Sequence, residues 1–194
     1  MGLAVGDYDN DLDLDFYFSD MGEPMSLLEN LGNHFRNATE TAGVGTEVGN
    51  TVGWGTAFFD YNNDGWLDLF LATTGSADRF QNPTGPAGIL LPHPSVFFEN
   101  QGDGTFRDVT PASWKQFPKP SMGVAYADYD QDGFVDFVVG DFNLGYTLYR
   151  NAGRAGADNH WLTVRLEGRP PVNRDAIGAR VLVTTYDGLT QMQE

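Results

Sequence analysis

The sequence predicts an all-β chain: a partial β-propeller of about three four-stranded antiparallel blades, then the start of a small β module. Three observations lead there. One segment recurs three times, as GLAVGDYDNDLDLDF from Gly2, GTAFFDYNNDGWLDL from Gly55 and GVAYADYDQDGFVDF from Gly123. A second shared element follows each copy: LLENLGNHFRNAT, FFENQGDGTFRDVT and LYRNAG. The apolar runs are short, rich in Phe, Tyr, Val and Leu, and end in Gly, Asn or Asp, as strands do; no stretch keeps a 3.6-residue apolar period over a helical length.

Each unit reads as a meander of four strands. In the second they are expected at about Gly55 to Phe59, Leu67 to Ala72, Ser95 to Glu99 and Thr105 to Val109, with NQGDG turning the last hairpin. Small sheets repeated along a chain are propeller blades, and the shared Gly-x-Ala start lets inner strands converge on an axis. Closure typically takes about 4 to 8 blades. Three form an open arc whose uncovered faces favour association. The second unit carries a Gly- and Pro-rich insertion, TGSADRFQNPTGPAGILLPHP, in which Phe80, Ile89, Leu90 and Leu91 suggest either a loop folded over its own blade or a contact loop on the rim. The pattern changes after Gly153, so the repeat region is placed at 1–156 and a truncated module at 157–194, with strands at Trp161 to Leu166 and Ala179 to Thr185.

Composition narrows the function. Of 194 residues, 27 are Asp or Glu and 11 Lys or Arg, a net charge of −16, which repels phosphate backbones and argues against a nucleic-acid partner. With no cysteine there is neither a disulfide nor a thiolate metal site. No apolar run reaches the ~20 residues of a membrane span. The opening MGLAVGDYD has no basic start, so no signal peptide is expected there, and the chain reads as a fragment. His34, His93 and His160 stand in unrelated contexts and read as turn or surface residues, and Ser121 reads as the start of a blade rather than a nucleophile; no G-x-S-x-G elbow occurs.

The loops at 7–15, 60–68 and 128–136 carry the chemistry. Side chains at positions one, three and five of a curled loop converge, a carbonyl at seven adds an oxygen and position nine closes the set, as in a calcium loop shortened from the EF-hand. The first loop offers Asp7, Asp9, Asp11, the Asp13 carbonyl and Asp15; the second offers Asp60, Asn62, Asp64, the Trp66 carbonyl and Asp68. The third offers Asp128, Asp130, Asp132, the Phe134 carbonyl and Asp136. Up to three Ca2+ are expected, since magnesium keeps its waters and prefers fewer carboxylates. The alternative is an Asp-rich turn whose carboxylates only cap backbone amides. By carboxylate count and Gly133 the third loop ranks tightest; Leu12, where the others have glycine, weakens the first.

From Gly2 to about Gly153 these motifs resemble the FG-GAP or VCBS-type repeats of integrin-like propellers. The tail from Asn159 to Val181, NHWLTVRLEGRPPVNRDAIGARV, looks like the ASPIC/UnbV module that follows such repeats in the cartilage acidic protein family and its bacterial relatives. The resemblance implies an integrin-α-like propeller with calcium in its blade loops. It also implies an extracellular, cell-surface or periplasmic protein that adheres, without catalysis, to a protein or glycan ligand at the cell surface or matrix. The competing reading is a scaffold or substrate platform of a secreted carbohydrate-active enzyme or lyase.

Overall fold

Strand β1 (Leu3–Gly6) is alternately exposed and buried, so Ala4 faces inward while Leu3 and Val5 face out. It pairs antiparallel with β2 (Asp15–Phe18), β2 with β3 (Ser26–Asn30) and β3 with β4 (Phe35–Asn37), which closes the first sheet. The computed structural model describes residues 1–21, 24–46, 51–75, 91–153 and 158–193. The second sheet runs β5 (Thr51–Phe59), β6 (Asp68–Gly75), β8 (Val96–Asn100), β9 (Phe106–Asp108), with the short β7 (Leu91–Pro92) added to β6. The third consists of β10 (Ser121–Ala127), β11 (Asp136–Asp141) and β12 (Gly145–Tyr149).

The strand expectations hold for the second unit to within a few residues at each end. Others need correction. The third sheet has three strands among the described residues, because after Tyr149 the chain turns at Gly153 and lacks the GDGTF hairpin that gives the second unit its fourth strand. Residues 161–166 join no ladder, and Trp161 and Leu162 are exposed; the tail's described sheet is the hairpin of β13 (Val181–Thr184) and β14 (Thr190–Gln193). Two short helices, α1 (Thr39–Ala42) and α2 (Ala112–Gln116), appear where none was expected. The boundary at 156/157 and Phe80, Ile89 and Leu90 lie outside the described residues; Leu91, in β7, is exposed. No helix among the described residues is long and apolar enough to cross a membrane.

The shared alanine of each repeat begins a row that crosses its sheet. Ala4, Tyr17 and Leu27 are cross-strand neighbours, as are Ala57, Phe70 and Phe97. The first row joins Phe58, Leu69, Leu71 and Phe98 of the second sheet in one core, and the second row joins Val139, Phe137 and Tyr149 of the third in another. β6 is therefore buried along its whole length: Leu69 and Leu71 belong to one core, Phe70 and Ala72 to the other. Each such fully buried side chain contributes roughly 1.5–3 kcal/mol relative to exposure. The equivalent row of the third sheet is Ala125, Val138 and Leu148, with Ala125 and Leu148 exposed.

The inner strands β1, β5 and β10 lie side by side, and glycine sets how close they come. A Cβ on Gly2 would sit 2.4 Å from the Trp54 carbonyl oxygen, and one on Gly55 would sit 2.9 Å from the Val124 nitrogen. At Gly123 a Cβ would meet nothing within 4 Å. The two glycines should thus respond differently to the same change. Gly55→Ala is expected to destabilise by about 1–3 kcal/mol through overpacking against backbone, whereas Gly123→Ala should change stability by about 0.5 kcal/mol or less. Urea unfolding of the two variants checks this, and equal midpoints would refute the close approach of the strands.

Candidate metal centre

Each loop joins an inner strand to the next strand, and the three share one set of hydrogen bonds. The first-position carboxylate accepts two loop amides: Asp7 from Asp11 and Leu12, both at 3.0 Å; Asp60 from Asp64 at 3.2 Å and Gly65 at 2.8 Å; Asp128 from Asp132 at 3.1 Å and Gly133 at 3.0 Å. The fifth-position carboxylate accepts the amide two residues on, Asp13 N–H to Asp11, Trp66 N–H to Asp64 and Phe134 N–H to Asp132. The ninth, fully buried, bridges two segments. Asp15 accepts from Tyr8 and Asn30, Asp68 from Tyr61 and Asn100, Asp136 from Tyr129 and Asn151.

Backbone conformation explains the glycine. The sixth residue is left-handed in all three loops, with φ of 74° at Leu12 and 91° at both Gly65 and Gly133. Leucine there costs roughly 1–2 kcal/mol relative to glycine. The fourth residue is also left-handed, with φ of 57° at Asn10, 55° at Asn63 and 60° at Gln131.

Position three differs among the loops. In the first, the Asp9 Oδ1 atom is buried without a hydrogen-bond partner among the described residues, and Asp7, Asp9 and Asp15 each have a carboxylate oxygen within 4.8 Å of the others. In the second, Asn62 donates to Asp64 at 2.8 Å and accepts the Asp64 amide. In the third, Asp128, Asp130 and Asp136 cluster as in the first, and Asp130 accepts a hydrogen bond from Arg150. Amide capping, the bland alternative, thus accounts for positions one, five and nine but not for Asp9. A buried carboxylate oxygen facing other carboxylates is the environment a hard cation satisfies, so the first loop's donors fit Ca2+. The Asp13 side chain lies toward Gly32, in the β3–β4 turn.

Burial dominates the electrostatics of these carboxyls. It pushes Asp9 and Asp60 up to about 6, Asp15 to about 7 and Asp68 to about 8, and raises Asp7 as well. Backbone amides oppose the rise and neighbouring loop carboxylates add to it.

Sequence reasoning missed the asparagines that tie unit to unit. Asn100 Nδ2 donates to the Tyr8 carbonyl at 2.8 Å and Asn151 Nδ2 to the Tyr61 carbonyl at 2.6 Å, each reaching back to the preceding loop. Asn10 and Asn63 reach forward, to the Gly65 and Gly133 carbonyls at 3.0 Å. The signal was present in the asparagine shared by LLEN, FFEN and LYRN. The tail also touches the loops: Asn159 donates to the Asn62 carbonyl, Leu189 and Gln191 lie against Gly65, and Trp161 lies against Gly133. On the opposite edge His93 sits half-buried between the Thr51 and Thr73 hydroxyls, which departs from the surface role expected of it. Ser121 opens β10 and donates to Asp141.

The FG-GAP-like repeat model matches residues 7–71 and 89–139. Cartilage acidic protein 1 of Homo sapiens is 42% identical over 57 residues, covering 29% of this chain and 9% of that protein. Integrin alpha-3 of Mus musculus is 31% identical over 99 residues, covering 50% of this chain and 9% of the relative. Integrin alpha-7 of Mus musculus is 30% identical over 99 residues, with 8% of its length covered. The matches thus span less than a tenth of the length of these relatives.

The raised carboxyls set a pH dependence for the protein in chelator. Their folded values exceed the unfolded value of about 3.9, so the native state holds its protons more tightly. The stability this contributes is fully present below about pH 4 and is lost as pH rises through 6 to 8. The melting temperature in chelator should therefore fall from pH 5 to pH 8. Asp68→Asn should flatten the part between pH 6 and 8, and a profile that is level or rises over that range would contradict the assignment.

Proposed function

The chain belongs to the FG-GAP-like repeat family, and from that premise we propose that it is a calcium-stabilised, non-catalytic interaction module working outside the cell or at its surface. One observation carries the metal reading: Asp7, Asp9 and Asp15 in the first loop and Asp128, Asp130 and Asp136 in the third each bring carboxylate oxygens within 4.8 Å of one another, and in the first a buried Asp9 oxygen has no partner among the described residues. The ion would be held by Asp7, Asp9, Asp11, Asp15 and the Asp13 carbonyl in the first loop. The second loop would use Asp60, Asn62, Asp64, Asp68 and the Trp66 carbonyl, and the third Asp128, Asp130, Asp132, Asp136 and the Phe134 carbonyl. Calcium supplies countercharge there; the chain's amides hold the carboxylates in place.

Similarity to integrin alpha chains and cartilage acidic protein 1 supports a protein or glycan ligand at the cell surface or matrix, and 157–194 is read as the start of an ASPIC/UnbV module. The groove beside the first loop is lined by Tyr8, Asp9, Glu29, Arg36 and Trp66. Glu29 there is bound by Arg36 and Tyr8, which favours a structural role over a free carboxylate for sugar hydrolysis.

Sites of this extracellular kind bind in the range of about 10⁻⁴–10⁻³ M, so millimolar calcium should raise the melting temperature and chelation lower it, with magnesium less effective. A transition that neither ion moves would end the metal reading. Within the first loop, Leu12→Gly should tighten calcium by up to about tenfold by relieving the left-handed leucine, while Asp11→Ala should abolish binding there. Calorimetric titration compares them, and an unchanged affinity in Leu12→Gly would show that the turn tolerates leucine.

A further inference from the structure

We infer that Arg150 is a cation built into the third loop, holding Asp130 and Asp132 in place of part of the metal's charge, so that this loop keeps its shape without calcium and binds it more weakly than the second loop does. The inference rests on the calcium reading of the loops. Position argues it first. Glu29, Glu99 and Arg150 are equivalent residues of LLEN, FFEN and LYRN, and each precedes an asparagine whose amide donates to the ninth-position aspartate, at 2.8, 2.9 and 2.7 Å. The same place in the fold is thus acidic in two units and basic in the third.

Their partners differ accordingly. Glu29 accepts from the Tyr8 hydroxyl and from Arg36 on the next strand; Glu99 accepts from the Tyr61 hydroxyl and from Arg107 on the next strand. Those arginines bond the glutamates, at 2.5 Å in both units, whereas their counterpart pairing in the third unit is with loop carboxylates. Arg150 instead reaches into its own loop, donating from Nε to Asp130 at 2.6 Å and from Nη2 to Asp132 at 2.9 Å. Asp130 and Asp132 are positions three and five, and Asp132 already spends its other oxygen on the Phe134 amide. An ion entering this loop must share or displace the guanidinium, at like-charge repulsion.

This inverts the ranking that carboxylate count gives. The test is a calcium titration of the full chain followed by NMR at the amides of Gly65 and Gly133, which donate to Asp60 and Asp128 and so report their own loops. In the unaltered protein the Gly133 midpoint should lie at higher calcium than that of Gly65. Arg150→Gln should lower the Gly133 midpoint by about tenfold and leave that of Gly65 in place, and Arg150→Lys should not reproduce the gain. In chelator Arg150→Gln should melt earlier than the parent, with calcium restoring it; a merely structural arginine would not make stability newly dependent on calcium. A Gly133 midpoint at or below that of Gly65, or one indifferent to Arg150→Gln, overturns the inference while leaving calcium binding intact. If neither amide moves with calcium, the metal reading fails first and this inference with it.

Discussion

The buried ninth carboxylate of each loop is the contact on which the rest depends. Asp15, Asp68 and Asp136 accept one amide from the second residue of their own loop and another from an asparagine at the end of a strand, Asn30 or Asn100, or two residues past it, Asn151. One side chain therefore fixes the curl of the loop and the register of the sheet beneath it. Removing such an acceptor orphans two amides in a dry environment, each at about 1–3 kcal/mol. The carboxylate at position nine is thus a requirement of the fold.

The asparagines extend this local bond into a chain of loops. Asn100 and Asn151 hold the preceding loop by its tyrosine carbonyl, and Asn10 and Asn63 hold the following loop at its sixth residue. The apolar rows Ala4–Tyr17–Leu27 and Ala57–Phe70–Phe97 join the same neighbours through their cores. Polar contacts at the loop end and aromatic packing between sheets set the same spacing by independent means.

What the sequence made legible was whatever repeats. Spacing alone located the three loops, their glycines and the strands of the second unit, because periodicity two and the Asp pattern are local properties. Departures from the repeat were harder. That the third sheet has three strands among the described residues depends on departures from the repeat after Tyr149, and a run such as Trp161–Leu166 reads as a strand although no described residue pairs with it. Arg150 was visible as a letter. Its reach into the loop was not, because the contact with Asp130 spans 20 residues and only the folded sheet brings them together. His93 was misjudged for the same reason, since Thr51 and Thr73 come to it from strands distant in sequence.

Gly123, with open space where Gly2 and Gly55 meet backbone, gives the arc a direction. One end offers Leu3, Val5 and Phe18; the other offers Ala125, Tyr146 and Leu148 beside that uncrowded inner strand. These ends are unlike, so contact of one with the other is heterologous, whereas a twofold axis would pair like with like. Joined to one another they run head to tail, and such a contact either closes into a ring or continues without limit, according to the rotation between successive copies. The rotation between successive inner strands therefore decides between a finite wheel and an open filament.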